Sequence, residues 1–428
     1  MSKDPEAERK LSDIAYMIGS VATRVKTCSF SPVVMKGCNG GSSVSFSRAW
    51  ISVEKKATKF SLVNYGLPAA FLYEDGLRCL LNTMLEGKTE ENNVKKRALD
   101  CIKKFIFEDL TKHEECLAKL KQSLSHGTSK RKKEYIQSVL AAHLFGPLVP
   151  ESADVNRCSI DRLSQKATIC KFCQEKLVVI KDTTFGNYEV WYGRADMILQ
   201  KSAIVVNKGS DTVSKLFSGR IATCSCQSTS SRSCTSEFDH DSSSSSSDTC
   251  NCSEVEIKSK GFEGHAQNQA IAQCISNAFY VQDQSQLSDV YIPSFLANDN
   301  IIKIYMYCCS NDILLESESM PILRGDTINV ATVITVWLAI NFDYFDLRDI
   351  KSKEIAQKLH LASPKSMFKT LIGAEALYIY EHKLHRPLDP KQTDKEEKDD
   401  ERIDVHPLFQ EYLNTFTPYE IAILSKKE

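Results

Sequence analysis

The sequence has no excess of charge of either sign, no hydrophobic run long enough for a bilayer, and no visible internal repeat. Its 54 Lys and Arg residues stand against 55 Asp and Glu, for a net charge of -1. A near-neutral total neither favours nor excludes nucleic acid; a local basic face would matter, and Lys130, Arg131, Lys132 and Lys133 form the clearest run. The most apolar segment, Thr327 to Phe342, falls short of the roughly 20 residues of a bilayer span. It is interrupted by Asn329, Thr332 and Thr335 and reads as a buried helix, so no membrane partner is expected. The amino terminus lacks an apolar stretch behind a basic start, so no secretory signal is expected. The expected location is intracellular, in nucleus or cytoplasm.

What is present is the composition of a globular protein: 42% hydrophobic and 25% charged residues over 428 positions. That length exceeds one ordinary domain and leads us to expect two or three structural units. Sixteen cysteines would read as a disulfide framework in a small secreted chain. In a large intracellular one they are reduced thiols or metal ligands.

From Asn92 to Leu124 apolar residues recur at helical spacing (Val94, Ala98, Ile102, Phe105, Ile106, Leu110, Leu117, Leu120, Leu124), with Thr111 to Glu114 resembling a capping box. Tyr73 to Leu85 reads as another helix, so residues 1–126 are expected to be mainly helical. A helix from about Lys130 to Phe145 stops at Gly146-Pro147. Strands are then expected at Leu177 to Lys181, Tyr188 to Leu199 and Ala203 to Val206. Residues 208–252 form a Ser-rich, Cys-containing stretch with few large apolar groups, and are read as a flexible insertion. Strand character returns at Glu254 to Lys258, before a helix from His265 to Tyr280 and strands at Val290 to Ile292 and Ile301 to Cys308. The expected units are 1–126, 127–320, a helical extension 321–388 containing helices at Thr327 to Phe342 and Ser366 to His382, and a charged linker with the carboxyl end, 389–428.

In Glu254-Val255-Glu256-Ile257-Lys258 the period of two sends Glu256 and Lys258 to one face and Val255 and Ile257 to the other. The preceding strand Gly193-Arg194-Ala195-Asp196-Met197-Ile198-Leu199 offers Asp196 at its centre, and Arg194 shares its parity. Two carboxylates and a lysine, if they converge, meet the needs of phosphodiester hydrolysis: oxygens to hold a divalent cation and a group to activate water. A Glu-x-Lys triplet alone is most often a solvent-facing charge pair. The order of the two motifs, the apolar strand between them and the helix behind them carry the functional reading.

That succession resembles the PD-(D/E)XK, restriction-endonuclease-like, nuclease superfamily, in particular its exonuclease and recombination-nuclease branch, over roughly Lys130 to Ser310. The resemblance implies an α/β fold with an αβββαβ core and a nuclease activity dependent on Mg²⁺ or Mn²⁺, acting on nucleic acid, with DNA the expected partner. It implies that Asp196, Glu256 and the Ile257 backbone carbonyl ligate the metal and that Lys258 orients or deprotonates the attacking water. Ala195 stands where the motif's name has proline. The separation of 60 positions between Asp196 and Glu256 is long for the family, and the Ser-rich insertion accounts for most of the excess. Gln269 matches a glutamine that faces the active site in this branch, whereas Gln273 stands where a tyrosine is frequent. Gln269, Gln273, Asn277 and Tyr280 fall in one narrow polar sector of their helix. An acidic residue on the helix before the strands completes the family's metal site; Glu134 is the candidate and Asp161 its competitor. Arg194 and Lys130 to Lys133 are candidate phosphate contacts.

Two further readings stand beside this one. A nuclease-fold protein without activity, binding nucleic acid or protein, is the alternative function. Cys170-x-x-Cys173 has zinc-ligand spacing, and Cys224-x-Cys226, Cys234 and Cys250-x-Cys252 lie in the insertion, but reduced thiols are the favoured reading. His265, at a helix start, reads as a cap-region residue.

Overall fold

A computed structural model describes residues 28–54, 66–85, 92–125, 132–150, 170, 172–174, 183–199, 202–206, 264–285, 290–345, 365–386 and 388. The main helices are α1 (Glu74–Leu85), α2 (Asn93–Phe107), α3 (Leu110–Ser125), α4 (Lys132–Leu140), α5 (Gly264–Ser285), α6 (Val330–Ile340) and α7 (Phe368–His382). The strands that matter here are β1 (Ser29–Pro32), β2 (Leu67–Pro68), β3 (Thr184–Gly186), β4 (Trp191–Arg194), β5 (Met197–Leu199), β6 (Ser202–Val206), β7 (Ile292–Ala297), β8 (Ile301–Cys308) and β9 (Ile313–Ser317). The architecture is mixed α/β. Among the described residues no helix is long and apolar enough to cross a membrane.

The central sheet runs β2-β1-β9-β8-β7-β6-β5. Every neighbouring pair along it is antiparallel except β6 with β7, which are parallel, Ile204 lying opposite Phe295. A parallel pair needs a long crossover, and α5 lies in that connection. The middle strands are buried on both faces: all six residues of β7 are buried, as are seven of eight in β8. This explains their nearly continuous apolar sequence.

Alternation along these strands separates two helical layers. Phe295, level with Ile304, meets the Phe145 ring, and Met306 on the same face accepts a bond from the Tyr73 hydroxyl at the foot of α1. Tyr307 faces the other way, against Phe279 of α5 and Phe368 of α7. On the first face Trp337 of α6 donates its indole N–H to the Ala98 carbonyl of α2 at 2.9 Å, locking those two helices together. The two faces thus share one core, whose largest fully buried side chains include Trp191, Trp337, Tyr305 and Tyr307.

Several expectations change. The first 125 residues are not merely helical, because β1 and β2 lie within the central sheet, β1 between β9 and β2. Tyr188 to Leu199 is not one strand: β4 and β5 are separated at Ala195 and Asp196, and β4 pairs with β3 and with Val44–Ser45 in a sheet of its own. The inward parity there belongs to Trp191, Gly193, Ala195 and Met197, with Tyr192 only half-buried. Helix α6 starts at Val330 because Thr327–Ile328 pairs with Leu323–Arg324. Glu114 does not act as a capping glutamate; its carboxylate accepts the Ile328 N–H at 2.8 Å and ties α3 to that hairpin. The helices at α2, α3 and α5 and the strand Ile301–Cys308 stand where the periodicity put them. The expected strands Leu177 to Lys181 and Glu254 to Lys258 both fall wholly outside the described residues.

Candidate active site

Asp196 sits at the bend between β4 and β5, not at the centre of a strand. Glycine makes the approach to that bend possible. Gly193 has a φ of +134°, and a Cβ there would lie 3.3 Å from the Phe46 ring, so a larger residue would be strained and crowded at once.

Three buried side chains then hold the bend by its backbone. Gln273, from α5, donates its amide Nε2 to the Arg194 carbonyl at 3.0 Å. Thr183 donates its hydroxyl to the Ala195 carbonyl at 2.6 Å and accepts the Ala195 N–H on its own carbonyl at 3.2 Å. Gln137, from α4, donates its Nε2 to the Asp196 carbonyl. Gln273 and Thr183 are fully buried and Gln137 is nearly so. Burying a primary amide is unfavourable unless its hydrogen bonds are made, so this is a committed use of polar groups. Its effect is to fix the backbone on which the half-buried Asp196 carboxylate is mounted. Ala195 is buried within the bend, and Arg194 is exposed beside it.

The polar sector of α5 is less open than its sequence suggests. Gln273 and Asn277 are fully buried, because α5 is covered by the sheet on one side and by α7 on another, while Gln269 and Tyr280 are half-buried. The amide oxygen Oε1 of Gln273 has no hydrogen-bond partner among the described residues. On the sheet side of the same helix, burial pushes the Cys274 thiol up to about 12, so it stays neutral at ordinary pH. His265 is exposed at the start of α5.

Of the other candidates, Glu134 lies on α4 one turn before Gln137, and Lys132 and Lys133 open the same helix. Glu256, Ile257, Lys258, Lys130, Arg131, Asp161 and the insertion 208–252 lie outside the described residues. The structure therefore brings Asp196, Arg194, Gln137 and Gln273 together. Sequence reading missed Gln137 and Thr183. A signal existed for Gln137, a lone amide among Ile136, Val139 and Leu140 on a buried helix face; Thr183 carried none. Comparison with known families, with curated proteins and with solved structures finds no match to this chain.

Proposed function

We propose that this chain is a metal-dependent nuclease of the PD-(D/E)XK type, hydrolysing phosphodiester bonds of DNA. The observation that carries the reading is the bend at Asp196: three buried donors grip the consecutive carbonyls of residues 194 to 196 and present one carboxylate. A side chain that merely terminated a strand would not need such preorganisation, whereas a metal ligand gains from it. The order helix α4, strands, helix α5, then β7 parallel to β6 is in keeping with the αβββαβ core that the resemblance implies, although four described strands, β3 to β6, stand between the helices and β3 and β4 belong to a separate sheet.

The donor set suits a hard cation. Asp196, Glu256 and the Ile257 carbonyl are oxygen donors that would hold Mg²⁺ or Mn²⁺. Such an ion, when bound, neutralises phosphate charge and acidifies a coordinated water. Lys258 holds or deprotonates the attacking water at its Nζ, and the exposed guanidinium of Arg194 takes a phosphate oxygen. Gln269, one turn from the buried Gln273 on α5, orients groups at the same end of the helix. Gln137 and Gln273 are positioning residues that act through the backbone of the bend.

The test is cleavage of linear, circular and single-stranded DNA by the full chain with Mg²⁺ or Mn²⁺. Metal-dependent cleavage that vanishes in Asp196→Ala is expected. Binding of nucleic acid without cleavage of any substrate would replace the enzyme with a binding module.

A further inference from the structure

Away from the Asp196 bend, four side chains from three separate segments converge on one point: Cys116 of α3, His143 in the π turn Ala141–Phe145 that continues α4, and Cys170 and Cys173 of a tight turn. Their three sulfurs and one ring nitrogen all lie within 4.8 Å of one another. We infer that Cys116, His143, Cys170 and Cys173 form a structural zinc site. This inference stands on their geometry and does not depend on the nuclease reading.

The sulfur–nitrogen edge suits a tetrahedron, and the 4.8 Å limit on the others leaves about 1 Å for them to close around an ion. With Zn–S of about 2.3 Å and Zn–N of about 2.0 Å, tetrahedral edges come to roughly 3.8 Å between sulfurs and roughly 3.5 Å between sulfur and nitrogen. Cys173 Sγ lies 3.4 Å from His143 Nε2. The turn is shaped for two ligands: Gln174 N–H donates to the Cys170 carbonyl at 2.8 Å, and Gln174 itself takes a φ of +59°, a conformation unusual for a residue with a side chain. His143 reaches the point because the helix widens into a π turn, a feature frequent at functional sites.

The surroundings match a zinc ligand rather than a stray thiol cluster. His143 is fully buried, and its other nitrogen, Nδ1, lies 3.1 Å from Nδ1 of His113. With the proton on His143 Nδ1 and donated to His113, the Nε2 lone pair of His143 faces the thiols, and this tautomer gives the outer-shell arrangement that metal-bound histidines use. His113 is in turn stacked on Phe105 of α2, with ring centroids 4.6 Å apart. Three of the four ligands are buried and Cys173 is half-buried, so all four positions come from the protein. A closed Cys₃His set is structural, not catalytic.

Its place in the chain gives the site a job. His143 and Gln137 lie on one continuous helical segment, and Gln137 grips the Asp196 carbonyl. The ion would fasten α3, α4 and the Cys170 turn into one unit and so set the end of the helix that holds the Asp196 bend.

The experiment is metal analysis of the full chain after dialysis against a weak chelator, with cobalt substitution and alkylation mapping by mass spectrometry. We expect about one zinc per chain, in line with the high affinity of such sites. Cobalt should give the intense visible bands of a tetrahedral thiolate complex, and Cys116, Cys170 and Cys173 should resist alkylation until the metal is stripped. Cys173→Ser should lose the zinc, while a chain whose residues 208–252 are replaced by a short Gly/Ser linker should keep it. A folded wild-type chain without zinc, iron in place of zinc, or zinc that survives in Cys173→Ser but leaves with the insertion, would each overturn the inference.

Discussion

Replacing Gln273 by methionine keeps the volume of a fully buried side chain and removes its amide. Two opposed changes follow. The Arg194 carbonyl loses its donor, which by itself costs roughly 1–3 kcal/mol for a buried acceptor. The substitution also removes the amide oxygen, which has no partner among the described residues and whose burial already weighs against folding by a similar amount. The net loss should therefore be small, about 1 kcal/mol. By contrast Ile275→Ala, two residues along the same helix and equally buried, should lose roughly 2–5 kcal/mol through the cavity it leaves. Urea unfolding of both variants at one pH, with the slope of the transition checked for constancy, gives the comparison. Nuclease activity should move the other way: Gln273→Met should lose far more cleavage than Ile275→Ala, because the bend bearing Asp196 is no longer held. A stability loss of about 4 kcal/mol in Gln273→Met would refute the orphaned oxygen. Undiminished cleavage would refute the positioning role.

Asp196→Ala should abolish cleavage and weaken Mg²⁺ binding, whereas Lys258→Ala should abolish cleavage with metal binding retained or strengthened; calorimetric titration beside the cleavage assay separates them. His113→Phe, which keeps the ring against Phe105, should lower zinc affinity by roughly 10- to 100-fold without removing a ligand, read by competition with a chromophoric chelator. Alkaline pH should destabilise the fold. The Cys274 thiol is held at about 12 by burial, against an ordinary value of 9.0, so above about pH 9 the unfolded chain releases a proton that the folded chain keeps. Stability therefore falls as pH rises through that window, and Cys274→Ala should remove up to about 1.4 kcal/mol per pH unit of that slope; an unchanged slope in urea unfolding at pH 8, 9 and 10 would contradict it.

Long amphipathic helices were legible because their pattern repeats over many residues: α2 and α3 emerge from Val94 to Leu124, and α5 from His265 onward. Strand Ile301–Cys308 was legible because both its faces are buried and its length exceeds a chance apolar run. Strands β1 and β2 were not, since four and two residues, each stretch containing a proline, give too little alternation, and pairing partners distant in sequence decide their fate. At the candidate site, the motif pointed to Asp196 but not to the break beside it, which depends on side chains of Thr183, Gln137 and Gln273 that reach the bend through space. Cys170 and Cys173 announced themselves by spacing. Their companions Cys116 and His143 stand 54 and 27 positions before Cys170, a separation from which no spacing rule could recover them.

The position of β1 has a consequence for synthesis. Phe30 lies opposite Ser317, and the Ser29 hydroxyl donates to Glu318, 289 positions away. At about 5–20 residues per second, roughly 15–60 s separate translation of β1 from translation of its partner β9. During that interval β1 has only the two-residue strand β2 beside it, and a lone pair of strands is marginal in water. Phe30 and Leu67, both fully buried in the finished protein, lack the cover of β9 until the ribosome has passed it. Chains halted before that point carry an unpaired apolar edge, so premature termination upstream of Ile313 should yield aggregates or substrates for chaperones instead of smaller folded fragments.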